Sequence, residues 1–449
     1  PYNVYGGLQD NGSWFGPSQS PGGISNADWS LSNWGDGFYS FRHPTDANII
    51  YSESQGGNLV RYDLRDGQSK DIKPIPGDDE PAYRFNWNTP IHLSLAQPDR
   101  LYVGAQYLFR SEDRGDTWAR ISPDLTTNDT SRQRQAQSGG LSIDNSTAEN
   151  NTTIYTISES PLNDQVIWVG TDDGNLQVTR DGGASWENVA TNIPVLPAFT
   201  WCSHIQASPH SEAEVYVTFD GHKQGDMTPY LFRSTDYGKT WSSLVTEEVT
   251  GYAHVILQDN VEPGLLFLGT EFGLYISLDA GLSWKRFEEG IPGVAVRALA
   301  IQPREQALVI ATHGRGIFIM DDLTPLRQIR REILDSTLVF FDLPPAIVKL
   351  PRSGKPFGGA GNFVGRNPSS AASIAYYMRK RHTFGKMTLE VTDVNGNVIQ
   401  SLPPGKSAGI NIVSLPLRKP PPKAAPTKNR MALAGSIVTP SLQEGTYTV

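Results

Sequence analysis

Four acidic residues stand where a carboxylate could meet a ligand. They are Asp36 in Trp34-Gly35-Asp36-Gly37-Phe38, Asp173 in Thr171-Asp172-Asp173-Gly174, Asp220 in Phe219-Asp220-Gly221-His222 and Glu271 in Thr270-Glu271-Phe272-Gly273. A protonated and an ionised carboxyl together can hydrolyse a glycosidic bond. They must lie about 5–5.5 Å apart for retention or about 6.5–9.5 Å for inversion. Asp36 leads the candidates because glycines on both sides leave it uncovered. Around these carboxyls the chain offers Asp10, Arg84, Trp87, Gln106, Trp201, His222, Tyr252, His313 and Arg315. Such a mixture suits sugars, whose faces stack on aromatic rings and whose hydroxyls bond amides, and it suits peptides nearly as well. Plainer roles exist. Asp10 and Asp173 sit beside Asn or Gly and are placed to cap turns. Trp87 and Trp201 can be packing residues, and His92, His204 and His254 fall in apolar runs as core histidines would.

No His-x-x-x-His pair and no EF-hand spacing occurs, so no metal or other cofactor is expected, with calcium on the loop carboxylates the one exception left open. Cys202 is the sole cysteine, which excludes an intrachain disulfide and a cysteine-rich metal site. The net charge is −9. Basic residues concentrate in 350–449 while the first part is strongly acidic, which disfavours nucleic acid as its partner. No apolar run is long enough to span a membrane. The chain starts at Pro1 and stops at Val449, both within strand-like residues, so a longer natural polypeptide is expected, with any export signal outside this sequence.

The elements that must position these residues come from a repeat. Ser111-Glu112-Asp113-Arg114-Gly115-Asp116-Thr117-Trp118, Thr179–Trp186, Ser234–Trp241 and Ser277–Trp284 superimpose without gaps as Ser/Thr-x-Asp-x-Gly-x-Ser/Thr-Trp. In each, the Asp (Asp113, Asp181, Asp236, Asp279) can bond backbone N–H groups across a tight turn, and Gly accepts positive φ. The Trp (Trp118, Trp186, Trp241, Trp284) is a large packing anchor. Apolar runs ending in Gly or a small residue precede each copy, as in Leu101–Gly104, Ile167–Gly170, Val215–Thr218 and Leu266–Gly269. The same pattern recurs without the box at Val4–Gly7, Ile49–Ser52 and Leu308–Ala311. Seven such hairpins predict about seven blades of a β-propeller. One blade predicts Ala253–Gln258 as its innermost strand, then Leu265–Thr270, Gly273–Leu278 and Trp284–Phe287. On this count the first blade lacks an inner strand and the last an outer one, so a missing N-terminal region or another chain is expected to complete the ring.

These boxes resemble the Asp-box (BNR, sialidase-like) propeller superfamily, over roughly residues 1–323. Tyr5–Trp14 and His313–Asp322 look like segments of bacterial exported proteins of sortilin-like or glycosyl-hydrolase-like type. The box itself implies a scaffold and no activity. A sialidase also needs three arginines, and although Arg84, Arg297 and Arg315 fall near the mouth, no motif around them matches. Residues 324–336 read as a linker helix, centred on Leu326–Leu334. Residues 337–449 resemble an immunoglobulin-like β domain of the kind beside hook-capping modules, truncated at its C-terminus. Its strands are expected at Ile374–Met378, Met387–Val391 and Ile410–Leu417, with an Asn395-Gly396 hairpin turn and a proline-rich spacer over Lys419–Pro426.

The fold class expected is therefore all-β, a propeller followed by a sandwich. The ligand face is the mouth opposite the boxes. The favoured function is an exported, periplasmic or cell-surface module binding a glycan or protein there. A glycoside hydrolase acting on extracellular polysaccharide and a structural subunit of a surface assembly are the alternatives.

Overall fold

The computed structural model describes residues 2–134, 150–347, 361–419 and 440–449, together with 137, 141, 142, 145, 146 and 359. The proline-rich stretch 420–426 lies outside the described residues. Two compact units are present, one built from residues 1–20, 24–320 and 361–365 and the other from 21–23, 321–360 and 366–449.

The first unit holds seven antiparallel blade sheets in chain order. Blade 6 shows why these residues form them. Ala253–Gln258, Leu266–Thr270, Gly273–Ser277 and Lys285–Phe287 pair in sequence. The second and third strands are buried throughout. A blade is covered on both faces by its neighbours, so its central strands read as continuous apolar runs and not as an alternation. Blades 2 to 6 each have four strands, blades 1 and 7 three. Side chains from adjacent sheets make the core between them, as where Trp168 and Val178 pack with Val217, Phe219 and Trp241.

Glycine marks the closest approach of one blade to the next. A Cβ on Gly170 would lie 2.4 Å from Cys202 Sγ, and one on Gly269 would lie 2.6 Å from the Val296 carbonyl oxygen, both on the next inner strand. A Cβ on Gly7 would lie 2.1 Å from the Gly37 carbonyl carbon, on the inner strand of blade 2. Asn3–Leu8 thus occupies the second-strand position of blade 1, followed by Gly12–Pro17 and Ser30–Asn33, and the inner position is unfilled by the described residues. Blade 7 has Val296–Gln302, Ala307–Thr312 and Ile317–Met320, with no fourth strand among the described residues.

The four boxes repeat one turn. In blade 3 Asp113 accepts from Thr117 N (2.8 Å) and Thr117 Oγ1 (2.7 Å), while Ser111 Oγ donates to Asp113 (2.8 Å) and accepts from Gly115 N (2.8 Å). Asp181, Asp236 and Asp279 make the same set. Trp118, Trp186 and Trp284 donate Nε1–H to Ile72, Ile121 and Leu244 carbonyls of the preceding blade. Trp241 departs, bonding Gly238 of its own turn and setting its ring edge-on to Trp168.

In the second unit, the expected single helix is two one-turn helices, Thr324–Gln328 and Arg331–Asp335. Ile329 between them is extended and buried against Phe341 and Ala375, and Arg330 caps the first helix by donating to the Arg327 and Ile329 carbonyls. Leu338–Phe340, Ala372–Met378 and Gly409–Leu415 form one sheet, Leu389–Thr392 and Val398–Leu402 another. Ile374, Tyr376, Leu389 and Val391 share a core. The Asn395-Gly396 turn is held by Asp393, which accepts from Asn395 N and Asn397 N (both 2.9 Å).

Candidate functional site

The inner strands carry a repeated irregularity. Their pairing with the second strand slips between Gly37 and Ser40, Ile154 and Thr156, Cys202 and His204, Ala253 and Val255, and Val296 and Ala298. A bulge leaves an extra residue out of the ladder and re-aims its side chain. The residues so displaced include Tyr39, Tyr155, Ser203, His254 and Arg297, at the end where the hairpin loops and the loops leading into inner strands meet.

Blades 5 to 7 gather a connected group at that end. Asp220 Oδ1 accepts from His222 Nδ1 at 2.6 Å and from His222 N at 2.9 Å. The His222 ring stacks on Tyr252, with centroids 4.6 Å apart and planes 15° off parallel. Tyr252 stands edge-on to His254 at 5.0 Å and hydrogen-bonds Glu271. His254 Nε2 lies 3.0 Å from Glu271 Oε2, and Arg297 donates to His254 Nδ1 at 3.2 Å. With Nδ1 accepting, the neutral ring carries its proton on Nε2 and donates it to Glu271.

Charge states follow. Burial, reinforced by the Arg297 charge, lowers the His254 pKa to about 4, so the ring is neutral at pH 7. Burial pushes the Glu271 carboxyl upward, but hydrogen bonds from His254 and Tyr252 outweigh it and hold the group below its usual range. Burial and the bond to Glu271 raise Tyr252 to about 12. The cluster thus presents an ionised carboxylate, a second carboxyl and an aromatic stack between them. Such a set can hold sugar hydroxyls, or place a base beside a water.

The other candidates are dispersed. Asp36 accepts from Asp10 N (2.8 Å) and Trp87 Nε1 (3.2 Å), so it ties blades 1, 2 and 3 together. Asp10 sits at φ 62°, a turn conformation. Asp173 is buried and accepts from Thr127 N, Thr127 Oγ1 and Thr171 Oγ1, which leaves it no approach from solvent. Arg84 donates to Asp124 at 2.8 Å, and buried Gln106 accepts from Arg84 N. These are joints between blades. Trp201 meets Tyr155 at its edge, and Lys223 Nζ covers its face at 3.8 Å from the centroid. His313 and Arg315 are exposed on the blade 7 hairpin. His254 and Arg297 are site members that their sequence positions assigned elsewhere, His254 to the core and Arg297 to an arginine set. The usable signal was a polar residue at the head of an apolar inner strand, directly after Tyr252 and Ala253.

Every carboxyl held above its ordinary range among the described residues is buried. Glu53 and Glu159 are raised by desolvation, and Asp172 reaches about 8 through burial and the neighbouring Asp173. Among the described residues no group of three or more His, Cys, Asp or Glu is placed to hold a metal, and no helix is long and apolar enough to cross a membrane.

The family model for the BNR-Asp box repeat matches residues 231–244. An oligoxyloglucan-reducing end-specific xyloglucanase of Emericella nidulans is 25% identical over 220 residues, covering 46% of this chain and 24% of that protein. A probable enzyme of the same description from Neosartorya fischeri is 24% identical over 212 residues, 45% of this chain and 23% of its own. The chain therefore spans about a quarter of the curated relatives it matches. The GH74 xyloglucanase of Xanthomonas campestris superposes with a TM-score of 0.50 at 18% identity, over 72% of this chain and 50% of that one.

Proposed function

We propose that this Asp-box propeller, glycoside-hydrolase-like in its fold, grips a polysaccharide across the mouth of blades 5 to 7 and hydrolyses it there. The observation that carries the reading is the linked series Asp220–His222–Tyr252–Glu271. It sets two carboxyls around an aromatic face that a sugar ring can stack on. The partial likeness to xyloglucanases supports a polysaccharide as the substrate. Glu271, ionised, is assigned the base, and Asp220, whose near oxygen is taken by His222, the second carboxyl. Location outside the cytoplasm belongs to the same proposal, as does an immunoglobulin-like role for the second unit. A strand from another chain, or from elsewhere in the polypeptide, is proposed to fill the inner position of blade 1.

The test is release of reducing ends from xyloglucan, its oligosaccharides and other polysaccharides, with binding measured in parallel. Glu271→Gln and Asp220→Asn are each expected to lower turnover by about 10²-fold or more while leaving binding within a few-fold. Turnover unchanged in both variants overturns the catalytic assignment. A second reading, binding without hydrolysis, is favoured by one fact: among the described residues the carboxyls raised above their ordinary range are all buried, away from the mouth cluster. Binding that depends on Tyr252 with no release from any substrate decides for it. Neither binding nor release on the whole panel removes both.

A further inference from the structure

The cations around the mouth are not engaged alike. Arg84 is taken by Asp124 and by the Thr126 hydroxyl and Thr152 carbonyl. Arg132 lies over the Phe199 ring and Lys223 over Trp201. Blade 7 differs. Arg297 is the bulged residue of its inner strand and exposed, and among the described residues its one hydrogen bond goes to the neutral His254 ring. Four of its five N–H donors are left over by that count. Val296 pairs with Thr312 and His313 N donates to the Ala295 carbonyl, so the His313–Gly316 hairpin stands at the same end of the blade. Gly314 at φ 69° and Gly316 at φ 79° make the turn tight, and Thr312 Oγ1 closes it on the Gly316 carbonyl at 2.6 Å. Both His313 and Arg315 are exposed, and neither side chain has a hydrogen-bond or ion-pair partner among the described residues.

We infer that blade 7 is a carboxylate-binding end of the groove, so that the glycan taken beside Glu271 carries a uronic acid held by Arg297 and Arg315. The inference rests on the polysaccharide reading and names the class of sugar. A guanidinium fork matches a carboxylate bidentately, and fixed backbone beneath Arg315 lowers the cost of ordering it. A neutral glucan would leave both forks to water alone. The surrounding field is mixed, since Glu271 lies beside His254 and the loop leading into blade 7 exposes Glu288 and Glu289. Selection therefore comes from short-range pairing and not from a broad positive potential.

Calorimetric titration of the full chain tests this. The probes are oligomers of galacturonate, glucuronate and mannuronate, each beside its carboxyl-reduced counterpart, with a xyloglucan oligosaccharide and a sulfated oligosaccharide as further arms. At least one uronate is expected to bind about tenfold or more tighter than its reduced form. Arg315→Ala and Arg297→Ala should each remove most of that preference, and Arg315→Lys should restore only part of it, because lysine keeps the charge without the fork. Equal binding of every acid and reduced pair, with xyloglucan bound, overturns the acidic-sugar inference and leaves the polysaccharide reading standing. A preference for the sulfated sugar, or one untouched by Arg315→Ala, also overturns it. Binding to nothing on the panel removes both.

Discussion

Aspartates in this propeller are held in two opposite ways. Hydrogen bonds from Thr117 and from Ser185 bring the box carboxyls Asp113 and Asp181 down to about 2. A carboxyl lowered on folding adds stability above its unfolded pKa, and that contribution is lost as pH falls from about 4 through 2. Asp172 is the reverse. Burial and the Asp173 charge raise it to about 8, against the hydrogen bonds from Thr153 and Asn86. Between about pH 4 and 8 the folded state then binds more protons here than the unfolded state, so this group's contribution weakens as pH rises. Asp172→Asn removes the titration while keeping a side chain that can bond Thr153. Its stability relative to wild type is expected to improve steadily from pH 5 to pH 8, read from urea midpoints at three pH values. Parallel wild-type and variant curves would show that Asp172 is ionised throughout, contrary to its environment.

At the scale of elements, the blade stack depends on positions where a side chain is not allowed. Gly269 faces the Val296 carbonyl of the next inner strand, where a Cβ would sit at 2.6 Å. Gly264 lies in the turn before Leu266–Thr270, the strand that carries Gly269, and a Cβ there would meet nothing nearer than 3.4 Å. Gly269→Ala is therefore expected to cost about 1–3 kcal/mol by forcing blades 6 and 7 apart, and Gly264→Ala about 0.5 kcal/mol or less. Chemical denaturation of both variants checks the pair, and equal losses would show that blade contact at Gly269 is not the constraint. Gly269, like Gly104 and Gly170, was legible in the sequence, because it ends an apolar run before a hairpin. So were the boxes, whose residue types encode their own hydrogen bonds, and so was the placement of Asp220, His222, Tyr252 and Glu271 beside blade hairpins and inner-strand entrances. The bulges were not. One extra residue in a short apolar strand leaves the hydrophobic pattern unchanged, and only the pairing partner reveals that His254 turns to Glu271 and Arg297 to His254. Asp173, Arg84 and Gln106 looked like ligand residues because polar side chains in loops look alike, whether they face solvent or bolt one blade to the next.

At the scale of the propeller unit, burial is uneven around the order of blades. No residue on the inner strands of blades 4 to 6 is exposed, whereas in blade 7 Arg297, Ala298 and Ala300 are. In blade 1 the strand Asn3–Leu8 pairs on one side only among the described residues. A ladder edge without a partner opens at lower free energy than one paired on both sides, since opening breaks fewer bonds and uncovers less apolar surface. Amide hydrogen exchange followed by mass spectrometry should thus find Asn3–Leu8 and Val296–Gln302 exchanging about tenfold or more faster than Val215–Asp220 and Leu266–Thr270, the central strands of blades 5 and 6. Adding a component that supplies the inner strand proposed for blade 1 should slow the blade 1 peptides first, because they alone gain ladder bonds. It should slow blade 7 next, through cover on its exposed face. Equal protection in all four segments of the isolated chain would mean that the ends of the blade series already cover one another in solution. Strand addition at Asn3–Leu8 would then have no free edge to act on.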